Sequence, residues 1–371
     1  MKKRMLSLLM ALCLMLTLAP AAFATDATMT QTELKNAISN AQSGGTVELT
    51  GDVTLTSTLE ITKPIVLDGK NFTITGASGV NTIYFKGVAG TVKNVNIVSG
   101  RYAIVGTGSS LDVDTCDITA AKGGISFEPT VENTTFRVNK TIIRNSNVTD
   151  YDNTADYGAD NRGICTYNVK KGTVTISDCQ IYGFKYGINP VVDPVSTTNT
   201  LCDGNGTTFT VTGTIVKGWT ALNVWSANTT YTFTDCTLVG INTLSGSWNG
   251  FSTIRINDGI YGGRTDKRAL ITIKGGRVVA KQLGSAIETA FTVDRELQTN
   301  FSFQLNNGNK VAIDLYVPAG GEAAVFCFDP DVSETAANTY LSAKVRGFTD
   351  QIIDLTAYGS DAATALLIAE D

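Results

Sequence analysis

The stretch TDYDNTADYGADNRGIC, Thr149 to Cys165, sets Asp150, Asp152, Asp156 and Asp160 close together, with Tyr151 and Tyr157 among them. Carboxylates at this density suit three roles: ligands for a hard cation, a catalytic pair, or the solvated front of a loop. Calcium needs several oxygens to converge, and Asp152, Asp156 and Asp160 with Asn153 supply them. The EF-hand pattern is not met, because Gly158 does not follow a third ligand. A second group is aromatic. Tyr186, Trp225 and Trp248 fall in or beside turns, where an exposed ring stacks on a sugar or folds down over the flank of the scaffold. Arg144, Arg162 and Lys185 are the cations closest to these groups, and a lysine or arginine serves as a base only where its surroundings lower its pKa. Histidine is absent from all 371 residues. Its absence excludes Ser-His-Asp and Cys-His nucleophiles, His-ligated zinc and imidazole acid/base catalysis.

The element that must position these residues is a repeat. LDVDTCDITAAKGGISF, from Leu111, aligns with VTISDCQIYGFKYGIN, from Val174, so that Val113 meets Ile176, Cys116 meets Cys179 and Ile118 meets Ile181. Both stretches then reach Gly-Ile, at Gly124-Ile125 and Gly187-Ile188. Units at Val95, Thr141, Thr214, Cys236 and Gly276 fit the same frame. Within each unit, apolar residues alternate in short runs broken by Gly, Asn, Asp or Ser, which predicts half-buried strands joined by turns. The same side chain returning at one place in every unit predicts parallel pairing between successive turns of the chain. The expected fold is therefore all-β: a right-handed parallel β-helix, or solenoid. Thr30 and Glu33 form a capping box ahead of Leu34, Ala37, Ile38 and Ala41, so an amphipathic helix is expected to cover the first coil. RGICT at Arg162 realigns with GGISF at Gly123, which leaves the aspartate-rich front of the opening stretch as an insertion.

With its capping helix, the run VELTGDVTLTSTLEITKPIVLDGKNFTITG and the recurrent Gly-Ile turns, the chain resembles the secreted β-helix proteins of the pectate-lyase-like superfamily over about Thr30 to Thr292. The resemblance implies a fold shared by lyases, hydrolases and adhesins. Pectate lyases carry vWiDH and RxPxxR motifs, and polygalacturonase-like hydrolases a neighbouring aspartate pair and Gly-His-Gly. None of these occurs here, so no catalytic residue is carried over.

Cys116, Cys179 and Cys236 share one interior register, with Thr141 and Thr214 between them. Two rungs of ~4.8 Å separate them by ~9.6 Å, beyond the ~7 Å that a disulfide spans. They read as small core fillers. Cys165 and Cys202 lie in or beside turns, where a bridge remains open, and Cys327 reads as core.

The first 24 residues have the basic, apolar and Ala-Phe-Ala regions of a secretory signal. Without the three basic residues of that leader, 26 Lys and Arg face 34 Asp and Glu. No basic cluster suggests a nucleic-acid partner, and the mature chain has no transmembrane segment. The expected organisation is a signal at 1–24, a capping helix at 25–44, the β-helix at 45–293 and a β-rich cap or degenerate final coils at 294–371. The expected protein is secreted or surface-associated, a noncatalytic module that binds extracellular polysaccharide or surface glycan. The alternative is a lyase or hydrolase acting on uronate-containing polysaccharide. No cofactor is required, and Ca²⁺ is the one cation the aspartates suit.

Overall fold

The computed structural model describes residues 27–151 and 160–242. Beyond these it describes 254–256, 269–274, 277–282, 291–293, 313–316, 325–326, 343–345, 352–353 and 366–367. The expected signal, Asp152, Asp156, Trp248 and Cys327 lie outside these residues.

The chain is a parallel β-helix, with the right-handed turn that parallel crossover connections take. Each coil lays down three strands. One coil uses Ser110–Asp114, Asp117–Ala120 and Gly123–Phe127. The next uses Thr135–Asn139, Ile142–Asn145 and Arg162–Tyr167. Each strand pairs in parallel with its counterpart one coil on, so three sheets run along the axis. In two later coils the second and third strands merge into single bent strands, Gln180–Val191 and Ile215–Val224. The register is the one expected from the repeat. Val113, Val138 and Ile176 stack in the first sheet, Ile118, Ile143 and Ile181 in the second, and Ile125, Ile164 and Ile188 in the third. All are buried. Each buried branched side chain contributes about 1.5–3 kcal/mol, and repetition over every rung makes these columns the main source of stability.

Two corners explain the recurring small and polar residues. Between the first and second sheets, Asn94, Thr115, Lys140, Asp178, Gly213 and Asp235 all take a left-handed backbone, with φ between 45° and 56°. The next residue then turns inward, which builds the column Val95, Cys116, Thr141, Cys179, Thr214, Cys236. Thr141 Oγ1 donates to the Asn139 carbonyl at 2.8 Å and accepts the Cys116 N–H at 3.3 Å. Thr214 repeats this with Thr212 O at 2.9 Å and the Cys179 N–H at 3.3 Å. The cysteine thiols point at carbonyls of their own rung, as from Cys179 to Ser177 O at 3.1 Å. Cys116, Cys165, Cys179, Cys202 and Cys236 are all free and buried, so the bridge left open for Cys165 and Cys202 does not form.

Between the second and third sheets stand Gly124, Gly163 and Gly187. A Cβ on each would come within 2.2 or 2.3 Å of an inward branched side chain of the following coil: Ile143, Ile181 and Val216 respectively. The Gly-Ile signature is thus a packing requirement in which one coil's missing Cβ makes room for the next coil's side chain.

The helix Gln31–Asn40 closes the first coil. Thr30 Oγ1 accepts the Glu33 N–H at 3.1 Å while Glu33 Oε2 takes the Thr30 N–H at 2.7 Å, which is the expected capping box. Leu34 and Ile38 are buried on the core. Lys63 Nζ closes the other end by donating to the carbonyls of Ser39 and Ala41 at 2.5 and 2.6 Å, where the helix dipole favours a cation. Beyond residue 293 the first sheet continues in parallel through Ile313–Tyr316 and Ala343–Val345 and then pairs antiparallel with Ile352–Ile353.

Candidate functional site

The two positions just before the Gly-Ile corner lie at the leading edge of the third sheet, where Arg101 is exposed and Asn161 and Thr220 are buried. Successive rungs read Arg101-Tyr102, Lys122-Gly123, Asn161-Arg162, Lys185-Tyr186 and Trp219-Thr220. The register is fixed by the pairs Tyr102 with Gly123, Gly123 with Arg162, Arg162 with Tyr186, and Tyr186 with Thr220. Backbone bonds tie the edge together: the Lys122 N–H meets Arg101 O at 3.3 Å, and the Arg162 N–H meets Lys122 O at 3.1 Å. The corner thus gathers four cations and three aromatic rings from five turns of the chain.

The geometry follows from local sequence. A Cβ at Gly123 would lie 2.1 Å from Tyr102 Cε1, so the Tyr102 ring crosses the empty glycine position. From there its hydroxyl comes close enough to Arg162, two rungs away, for the two groups to shift each other's pKa. Arg162 Nη2 also holds Asp160 Oδ1 at 2.7 Å, and Lys122 Nζ lies 3.6 Å from Asp160 Oδ2. One rung on, Asn161 Oδ1 takes the Lys185 N–H at 2.5 Å. That leaves the Lys185 ammonium 5.5 Å from the centre of the Tyr186 ring and 5.2 Å from that of Trp219, within cation–π range of both.

Behind this edge the outward column of the third sheet is Val105, Ser126, Cys165, Asn189 and Asn223. All are at most 4 % exposed although they point away from the core, so they form a covered polar floor. Ser126 donates to Glu128 Oε1 at 2.6 Å, and Asn189 Nδ2 donates to Asn223 O at 2.7 Å. On the far side the Tyr167 hydroxyl donates to Asp193, whose other oxygen accepts Asn168 Nδ2 at 2.9 Å.

The electrostatics of the site are set largely by burial. Burial pushes the Cys165 thiol up to about 12 and is also the main reason Tyr102 rises to about 12. Tyr167 reaches about 12 chiefly through its bond to Asp193. Burial opposes the charge of Arg162, but Cys165, Tyr102 and Asp160 around it outweigh that effect and raise its pKa. At neutral pH the site therefore presents a fixed guanidinium, two neutral phenols and a protonated thiol.

The sequence-derived candidates divide. Tyr186 belongs to the edge, under Lys185. Trp225 lies at the trailing end of the third sheet, half-buried against the core, with its backbone N–H donating to Pro190 O at 2.8 Å. Asp160 turns both oxygens toward cations, Oδ1 to Arg162 and Oδ2 to Lys122, while Asp152 and Asp156, the other two aspartates of the expected calcium set, lie outside the described residues. Among the described residues no group of three or more Cys, Asp or Glu is arranged to hold a metal ion. Of the three cationic candidates, Arg162 and Lys185 join the edge. Arg144 stands on the second sheet, paired with Asp117 at 2.5 Å. Arg101, Tyr102, Lys122 and Trp219 were not singled out from the sequence. Their signal was present, since each occupies one of the two positions before the recurring Gly-Ile or Ala-Ile/Leu step.

No helix among the described residues is long and apolar enough to cross a membrane. Comparison of the chain with protein-family models, with curated proteins and with solved structures returned no match.

Proposed function

We propose that this protein is an exported, noncatalytic β-helix module that binds an acidic glycan along the edge where its second and third sheets meet. The observation that supports this reading is the run Arg101, Lys122, Arg162, Lys185: one cation on each of four consecutive rungs, in a chain of formal charge −5. Rungs repeat every ~4.8 Å, close to the advance of one pyranose unit in an extended glycan. A chain with one carboxylate per unit therefore presents its anions in step with these cations, while the half-buried Tyr186 and Trp219 stand beside them as rings for stacking. The rungs are locked by backbone pairing, so little ordering entropy opposes binding.

The noncatalytic part of the reading rests on protonation. A lyase needs an unprotonated base near the sugar, and a retaining hydrolase an ionised nucleophile. Arg162, Tyr102 and Cys165 are each held in the protonated form, and Asp160 is engaged with two cations.

Calorimetric titration with an oligouronate, with and without EDTA, tests the proposal, together with absorbance of unsaturated products and a reducing-end assay. Binding without product is expected. Arg162→Ala should weaken it about tenfold, as suits loss of one hydrogen bond to a charged group. Product formation by the parent protein overturns the noncatalytic reading. Loss of binding in EDTA transfers the anion contact from the cations to a bound metal.

A further inference from the structure

The two central cations of the edge share one internal anion. Asp160 Oδ1 accepts from Arg162 Nη2 at 2.7 Å, and Asp160 Oδ2 lies 3.6 Å from Lys122 Nζ, so a single carboxylate spans two consecutive rungs. Asp160 stands where the aspartate-rich insertion rejoins the third sheet, which begins at Arg162, and its φ of 53° is left-handed. Aspartate and asparagine are the residues that, after glycine, enter this region most readily.

The pairing is incomplete and open to exchange. The Asp160 side chain is 58 % exposed, and exposed ion pairs are weak. It reaches Arg162 through one oxygen only, while Arg162 Nε, on the same side of the guanidinium as Nη2, is buried without an acceptor. A guanidinium binds a carboxylate best through two parallel bonds, and a buried donor left unpaired is costly. Asp160 is tied to the main chain and turns its other oxygen toward Lys122. A carboxylate arriving from outside has no such tether and can take Nε and Nη2 together.

We propose that Arg162 and Lys122 form the carboxylate-binding subsite of this edge, and that Asp160 occupies it as an internal counter-anion which a uronate carboxylate displaces. The inference rests on the glycan-binding reading above and deepens it. It assigns one acidic sugar unit to these two rungs and makes Asp160 the residue that holds the affinity down, because a bound chain must first break its contacts and an anion that leaves it in place is repelled by it.

The test compares the parent protein with Asp160→Asn in calorimetric titrations with an oligogalacturonate. Asparagine keeps the size of the side chain and tolerates the left-handed backbone, so the charge alone is lost. The variant is expected to bind about fivefold more tightly, the scale of an exposed ion pair that no longer has to be broken. In an Arg162→Ala background most of that gain should vanish, because the main contact it releases is already gone. Asp117→Asn neutralises a carboxylate paired with Arg144 on the second sheet and should change the affinity far less. Unchanged or weaker binding by Asp160→Asn overturns the inference, the weaker case meaning that Asp160 organises Arg162 for the ligand. A gain that persists undiminished in Arg162→Ala overturns it as well, since Asp160 is then only one negative charge among others. The glycan-binding reading survives each of these results. If neither the parent nor Asp160→Asn binds, that reading itself fails.

Discussion

Gly163→Ala tests the physical basis of the scaffold and its link to the site. This glycine sits between Arg162 and Ile164, at the corner between the second and third sheets. An added Cβ would lie 2.3 Å from Ile181 Cγ2 and 2.6 Å from the Gly187 carbonyl oxygen, both contributed by the following coil. Neither contact can be relieved by a flexible side-chain end: Ile181 is fully buried in its column, and Gly187 is backbone. Its φ is not positive, so the cost is overpacking rather than backbone strain, and such insertions cost about 1–3 kcal/mol. Two obstructions place Gly163→Ala at the upper end, about 3 kcal/mol. The assay is chemical denaturation followed by circular dichroism, reading the midpoint at unchanged slope. Ile181→Ala supplies the other arm of a double-mutant cycle. Since the added methyl would then meet the Gly187 oxygen and, at 3.3 Å, Phe184 Cδ2, but no longer Ile181 Cγ2, Gly163→Ala should cost less in that background, with a coupling of about 1 kcal/mol. A loss below about 0.5 kcal/mol, or additive behaviour in the cycle, would refute interlocked coils as the reason for the Gly-Ile repeat. Ala103 and Ala221 occupy the equivalent register positions, so the prediction concerns the particular neighbour, not the corner as such.

Alkaline pH should erode stability through the buried thiols. Burial raises Cys116 and Cys165 to about 12 and Cys179, Cys202 and Cys236 to about 11, from 9.0. The unfolded chain releases these protons first, so the stabilisation is complete below pH 9 and is lost as pH rises toward 11 to 12. A denaturation midpoint that holds or increases over that range contradicts the assignment, as does labelling of these cysteines by a thiol reagent in the native protein at neutral pH. Thr141→Val keeps the shape of the side chain but leaves the Cys116 N–H without the acceptor it has at 3.3 Å. Thermal or chemical unfolding should show a cost of about 1–3 kcal/mol, whereas Thr141→Ser, which retains the hydroxyl, should cost markedly less.

Much of this architecture is legible along the chain because a coil repeats its chemistry at a fixed register. Val113, Cys116, Ile118 and Ile125 each find their counterpart in Ile176, Cys179, Ile181 and Ile188, and parallel stacking is the arrangement that brings all four sets into columns at once. The interior place of the three corner cysteines follows from the same register, as does the capping helix from Thr30 and Glu33. The site was less legible. The carboxylate cluster and the turn tryptophans are visible in single stretches of sequence, though Asp152, Asp156 and Trp248 lie outside the described residues. The cationic edge is spread over more than a hundred residues of sequence, from Arg101 to Trp219, with one or two residues per coil. No local window contains it.

The amino-acid sequence by itself determined the coil, its period and which side chains face the core, because alternation and recurrence act through neighbours on the same strand and the next rung. It also excluded imidazole chemistry outright. The tertiary structure decided what the outward residues do. Tyr102 reaches Arg162 because Gly123 between them has no side chain, and Lys185 meets Trp219 because a full turn of the chain returns it to within about one rung of where it started. The recurring Gly-Ile step marks where these residues stand on each coil, but which side chains meet is decided only when the coils are stacked and insertions between strands have been absorbed without changing the closure of a turn.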